Sequence, residues 1–274
     1  MTSSPPPGLT PPAVLETLAR MGPVLQDKVV LVVGASRGIG EGIVRGLAHT
    51  GAKLVLASRD IDATNAVADA VADNCERPLV LKVDVADKQS VEACVAATLD
   101  RHGRLDGAVN NAGISHPGAL IHELPDSAYD GPMDVNVRGT FYAMRAQIRV
   151  MLDQGTGGSI VNVASTGSFD GVPTKALYAA SKHAVAGLTR TGGLEYATLG
   201  VRINAIAPGT VFTDMVARGL GSTEEGRKML NDLTPMKRMA GIEEMSGAVI
   251  WLLSDLATYV TGAVVPVDGG WNAG

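Results

Sequence analysis

Cysteine is close to absent: Cys75 and Cys94 are isolated from each other and form no C-x-x-C pair. That argues against a disulfide framework and suits a reduced, cytoplasmic protein. Aromatic residues make up only 4% and no Lys/Arg block appears, so stacking on nucleic-acid bases is not expected. His49, His102, His116, His122 and His183 show no H-E-x-x-H spacing, and no metal site is expected. No apolar run approaches 18 residues, so no membrane span is expected. The N-terminus lacks a basic segment followed by an apolar one, so no secretory signal is expected. What the chain does have is apolar bulk. At 274 residues and 46% hydrophobic content it can build one large α/β domain or two small ones, with acids and bases interspersed at a net charge of -5.

Residues 1–27 open with Met-Thr-Ser-Ser-Pro-Pro-Pro and read as a Pro-rich arm. Within it Ala13 to Met21 can form a short helix with Leu15, Leu18 and Met21 on one side, a strap packed on the main domain. From Lys28 onward strands and helices alternate. Expected strands cover 28–33, 53–58, 79–83, 105–109, 159–164, 201–207 and 263–267, with helices between them and an irregular polar stretch at 210–240. The pattern predicts a single Rossmann-type doubly wound parallel sheet over 28–274, flanked by helices on both faces. Gly34, Ser58, Asp84, Asn111, Ser165 and Pro208 all fall at strand C-terminal ends, where such sheets bind ligands.

Two stretches carry chemistry. Lys28 to Val33 is a Val/Leu-rich run leading into Gly34-Ala35-Ser36-Arg37-Gly38-Ile39-Gly40 and then a helical pattern. Strand, glycine turn and helix start is the arrangement that receives a pyrophosphate, because glycines let backbone N–H groups approach and the helix start presents unpaired donors. Further on, Tyr178 and Lys182 lie four apart, on one face of a helix. A free phenol titrates near pH 10, and an adjacent cation lowers that value. Bringing it to neutrality requires roughly 4 kcal/mol of differential stabilisation. Ser165 ends the apolar run 159–164, so its hydroxyl can meet the phenol over one substrate oxygen. Taken alone, Tyr-x-x-x-Lys is a common surface pair.

Together these residues resemble the short-chain dehydrogenase/reductase family, and within it 3-oxoacyl-carrier-protein reductase-like and carbonyl reductase-like members. The resemblance covers roughly 27–271. The matching pieces are Gly34-x-x-x-Gly38-Ile39-Gly40, Asp84, Asn110-Asn111-Ala112-Gly113, Val135-Asn136-Val137, Ser165, Tyr178-x-x-x-Lys182, Pro208-Gly209-x-x-x-Thr213 and Asp268-Gly269-Gly270. It implies a nicotinamide-dependent oxidoreductase, with a small-molecule carbonyl or alcohol as substrate. In that role Tyr178 is the general acid/base, Lys182 lowers its pKa and holds the nicotinamide ribose, and Ser165 binds the substrate oxygen. Asn136 anchors a water in the proton relay. Asn111, with Ala112 and Gly113, lines the cofactor ribose, Asp84 and Val85 the adenine, and Thr213, near Val211 and after Pro208-Gly209, the carboxamide. A homotetramer is also implied. Two departures stand out. Val33 replaces the usual Thr before the first glycine. Pro132 sits inside a segment that the family makes helical, so the helix either starts there or bends there.

Dinucleotide choice turns on the end of the second strand. Ser58 there accepts a 2′-phosphate without repulsion, and Arg37 and Arg59 can pair with it, so NADP(H) is favoured. If the strand runs two residues longer, Asp60 takes the role seen with NAD(H). The competing functions are an NAD-linked dehydrogenase of a sugar, sterol or hydroxyacyl substrate, and a non-catalytic dinucleotide-sensing scaffold. Ser168, Phe169 and His116 are candidates for the substrate pocket. Met215, Val216 and Leu220 are candidates for a lid, and Asn110 reads equally as a turn residue. Asp268-Gly269-Gly270 reads as a structural turn and subunit contact. On the Tyr178 helix, Ala180, Ala184, Gly187 and Thr191 form a small-residue stripe suited to close packing.

Overall fold

Short apolar runs with no polar alternation are buried on both sides, and five of the seven strands here are, the two edge strands being only partly covered. The strands are β1 (Val29–Val33), β2 (Lys53–Ser58), β3 (Leu79–Lys82), β4 (Gly107–Asn110), β5 (Gly158–Val163), β6 (Val201–Pro208) and β7 (Val264–Val267). In the computed structural model, which describes residues 11–273, they form one parallel sheet in the order β3-β2-β1-β4-β5-β6-β7. Side chains alternate between two cores. Val30, Val32, Leu54 and Leu56 enter one, and Val29, Leu31, Val33, Val55 and Ala57 enter the other.

The helices are α1 (Pro11–Met21), α2 (Gly38–Leu47), α3 (Ile61–Val71), α4 (Lys88–His102), α5 (Ser127–Pro132), α6 (Gly139–Asp153), α7 (Ala176–Tyr196), α8 (Asp214–Ala217), α9 (Glu224–Leu233) and α10 (Ser246–Leu253). The start of the Pro-rich arm lies outside the described residues. Helix α1 packs through Leu18, with Val14 and Leu15 beside it, against the core that holds α2. Met21 is 51% exposed, contrary to the expected Leu15–Leu18–Met21 face. Positions 14 and 18 lie one turn apart, and Met21 ends the helix before Gly22 at φ +78°.

The helix does not start at Pro132. The chain is helical from Ser127, passes through Pro132, and widens into a π-helical stretch, Met133–Arg138, before α6 resumes. Proline has no N–H to give, and the wider turn takes up the slip in hydrogen-bond register. Asn136 lies in that stretch and is 1% exposed.

Asn110 is not a turn residue. It ends β4, buried, and its amide donates to Gln147 Oε1 and Asn162 Oδ1, both at 3.0 Å. Gln147 Nε2 returns a bond at 2.8 Å, and Asn162 Nδ2 donates to Thr189 Oγ1 at 2.9 Å. Every buried amide in this chain of bonds has a partner, so the network locks α6 and α7 onto β4 and β5 instead of destabilising the core.

Candidate active site

Strand order reverses direction between β1 and β4, and the two strand ends are stitched together there. Asn111 Nδ2 donates to Gly34 O at 2.7 Å, and Ala112 N–H donates to Val33 O at 3.1 Å. Gly34 has φ +87°, and a Cβ on it would lie 2.6 Å from Ala112 N. A Cβ on Gly40 would lie 2.0 Å from Gly34 O and 2.6 Å from Asn111 Nδ2. Both positions need glycine for space, and the first needs it also for conformation. Arg37 precedes α2 in extended conformation and makes no side-chain cap bond. The start of α2 therefore keeps free N–H donors beside Ser36 and Ile39, which fits the pyrophosphate of a dinucleotide. Thr213 closes over the turn, its methyl 3.3 Å from where a Gly38 Cβ would sit. Its hydroxyl caps α8.

At the end of β2 the strand stops at Ser58. The Ser58 hydroxyl lies 2.7 Å from Thr64 Oγ1 and accepts the Asp60 N–H at 3.0 Å, so it braces the turn from inside. Asp60 caps α3 by accepting the Ala63 N–H at 3.1 Å. Its other oxygen takes the Arg37 guanidinium at 2.8 Å, with both side chains about half exposed. Arg59 is exposed beside them. Asp84 accepts the Ala86 N–H at 3.0 Å, and buried Val85 packs against Gly139 of α6. Gly209 is pressed on Asp268, whose carboxylate accepts the N–H groups of Gly270 and Asn272, both at 2.9 Å. Val211 is buried and bridged to Ala240.

Ser165, Tyr178, Lys182 and Asn136 come together on the other wall. Ser165 follows β5; its hydroxyl accepts the Gly167 N–H at 3.2 Å and acts on the Tyr178 phenol. Lys182 Nζ lies 5.9 Å from the Tyr178 ring centre and donates to Val163 O at 2.7 Å. Asn136 Oδ1 accepts the Ile114 N–H at 2.8 Å, while Nδ2 donates to Ile114 O and Ser181 Oγ, both at 2.9 Å. Ser181 in turn donates to Tyr178 O at 2.7 Å. Gly113 joins the two walls: a Cβ there would lie 3.3 Å from Asn136 Oδ1 and 3.4 Å from Lys182 Nζ. Loop 111–113 thus runs from the glycine turn to the lysine.

The electrostatics correct one expectation. Burial raises the Tyr178 phenol above its ordinary value, and the Ser165 hydrogen bond only partly offsets this. Burial also lowers Lys182, to about 8. Lys182 is thus not seen to lower the Tyr178 pKa. Desolvation is the leading cause for both groups, and the amine is turned to a backbone carbonyl.

Other candidates are placed differently. Ser168 is buried and donates to Lys182 O at 2.8 Å, and Phe169 packs with Ala164, Val185, Ala205 and Ala207. Both pack against α7. His116 is buried in the loop that follows β4. Met215 is exposed on α8, and the Leu220 side chain lies outside the described residues. The stripe Ala180, Gly187 and Thr191 is exposed, with Ala184 half-buried. Ser181 and the Val163 carbonyl were missed in the sequence. Ser181 sits inside Tyr-Ala-Ala-Ser-Lys, where its spacing from Tyr178 offered a signal.

The comparisons agree with this geometry. A family profile described as enoyl-(acyl carrier protein) reductase matches residues 34–272. The 2,5-dichloro-2,5-cyclohexadiene-1,4-diol dehydrogenase of Sphingobium indicum is 39% identical over 249 residues, covering 91% of this chain and 98% of the relative. The crystal structure of levodione reductase superposes with a TM-score of 0.85 at 39% identity, covering 90% of this chain and 98% of that one. A putative 2-deoxy-D-gluconate 3-dehydrogenase from Agrobacterium tumefaciens with bound NADP gives a TM-score of 0.84 at 35% identity, over 92% and 99%. Matched over nine-tenths of its length at 39% identity, the chain belongs to the short-chain dehydrogenase/reductase family and is an NAD(P)-dependent oxidoreductase of alcohol and carbonyl groups.

Proposed function

We propose that the protein is an NADP(H)-preferring ketone reductase and secondary-alcohol dehydrogenase in which Tyr178 gives and takes the proton. One observation carries this reading: the phenol, with Ser165 acting on it and the Lys182 amine 5.9 Å from its ring centre, shares a sheet edge with the uncapped start of α2. When bound, the nicotinamide supplies the hydride, and the protein supplies alignment and the proton. Ser165 holds the substrate oxygen beside the phenol. Burial keeps the phenol protonated at neutral pH, as a general acid in reduction requires. Lys182, in contact with the space at Gly113, holds the ribose side of the cleft. Asn136 spends its amide on Ile114 and Ser181, which fixes loop 113–114 against α7; the same position would let it anchor a water of the proton relay.

The preference for NADP(H) rests on Arg37 and Arg59, two guanidinium groups beside the end of β2. Asp60 is the observation that keeps NAD(H) as a second reading, although its carboxylate is engaged by Arg37 and by the α3 start. Replacing Arg37 and Arg59 together by Ala should weaken NADPH by about ten- to a hundredfold and NADH far less. Equal losses for the two nucleotides would remove the 2′-phosphate argument. The free cysteines are consistent with a cytoplasmic enzyme. The outward small-residue face of α7, where a Gly187 Cβ would meet nothing within 4 Å, leaves room for a second subunit in a homotetramer.

A further inference from the structure

Just before Tyr178 in the chain begins a polar cluster that the chemistry above does not use. Thr174 has φ +64°, a left-handed conformation costly for a β-branched residue. Its carbonyl accepts the Ala119 N–H at 3.2 Å, and its hydroxyl lies 3.2 Å from where a Gly118 Cβ would be. The strained turn is therefore locked to the 116–119 loop. The next residue, Lys175, lies one helical turn before Tyr178, on the same side. Its ammonium donates to the His116 carbonyl. Burial lowers the Lys175 pKa, and no carboxylate among the described residues offsets that.

His116 is 5% exposed. Its Nδ1 lies 2.6 Å from Pro117 O, which can only accept, so the proton sits on Nδ1. That leaves Nε2 with a lone pair, and Nε2 is buried with no partner among the described residues. An uncompensated ammonium and an orphaned ring nitrogen each cost stability. A left-handed Thr174, a cation with no carboxylate partner and an unpaired acceptor are thus tied together by the bond from Lys175 to His116, with Lys175 three residues before Tyr178 in sequence.

We propose that Lys175 and His116 form the substrate-recognition subsite, and that the substrate is a hydroxylated oxo acid or the corresponding hydroxy acid. Lys175 takes the carboxylate with its remaining N–H donors, and His116 Nε2 accepts a hydrogen bond from a substrate hydroxyl. This inference rests on the Tyr178 reading and names its substrate class.

The test compares kcat/KM for levulinate, its methyl ester and 5-ketogluconate in the wild type and in Lys175→Met and His116→Phe. The wild type should prefer levulinate to the ester by about ten- to a hundredfold, as expected for one charge-assisted bond. In Lys175→Met that ratio should fall to near one, and Lys175→Arg should restore most of it. The advantage of 5-ketogluconate over levulinate should shrink in His116→Phe. A wild type that reduces the ester as well as the acid overturns the proposal. So does a Lys175→Met variant that loses both substrates equally, which marks the lysine as a staple for the loop, or turnover of cyclohexanone with none of either acid. If Tyr178→Phe keeps its turnover, the parent reading fails. If it loses turnover while the wild type shows no acid preference, only the subsite fails.

Discussion

Lys182→Met should make the protein more stable and nearly inactive. The amine is fully buried, and its pKa falls from the ordinary lysine value of 10.5 to about 8. At about 1.4 kcal/mol per pH unit, keeping the cation in the folded state at neutral pH costs about 3 kcal/mol. Methionine matches the aliphatic length and needs no desolvation of charge. Against this stands the lost hydrogen bond to Val163 O, 2.7 Å in the wild type, worth about 1–2 kcal/mol once the carbonyl is left alone. The net gain is about 1–2 kcal/mol, or a Tm higher by roughly 2–8 °C for a chain of this size. The sign of the pH dependence is fixed by linkage. Between pH 8 and 10.5 the unfolded lysine binds more protons than the folded one, so wild-type stability rises with pH across that window. The advantage of Lys182→Met should therefore be largest below pH 8 and shrink towards pH 10.5. Thermal unfolding of the nucleotide-free proteins at a series of pH values reads both effects. A variant that is less stable at pH 7, or a gap that does not change between pH 8 and 10.5, refutes the reasoning.

Asn136→Ala removes both bonds to Ile114 and the bond to Ser181 and leaves the Ile114 N–H unpaired. It should lower stability by about 2–4 kcal/mol in a denaturant titration and lower kcat more than it raises KM, because loop 113–114 is freed. Asp60→Asn keeps a good helix cap but removes the charge that holds Arg37. Its Tm should stay nearly constant while the ratio of NADPH to NADH affinity rises several-fold. An unchanged ratio in a fluorescence titration would show that Arg37 does not face the 2′ position.

The strands were legible because the runs at 29–33, 53–58 and 201–207 are apolar without alternation, which parallel strands covered on both faces require. The converging strand ends were legible for the same reason, since right-handed crossovers leave no other edge for them. Three features were not. The π-helical stretch at 133–138 follows from Pro132 and from the pull of Asn136 on Ile114 and Ser181, and neither partner is near in sequence. The pairing of Arg37 with Asp60 joins two turns that are neighbours only because β1 and β2 are. Ser168 holds the Lys182 carbonyl and Phe169 packs against Ala164 and Val185, contacts that their place in a loop did not announce. In each case a local pattern was overruled by a contact that only the assembled sheet brings about.

The central claim is that the Tyr178 phenol moves the proton without holding the nucleotide. Tyr178→Phe tests it most directly, with NADPH affinity and steady-state ketone reduction measured on the same preparation. Affinity should stay within about threefold of the wild type while kcat falls by about 10²-fold or more. Turnover close to that of the wild type, with NADPH still bound, would contradict the account.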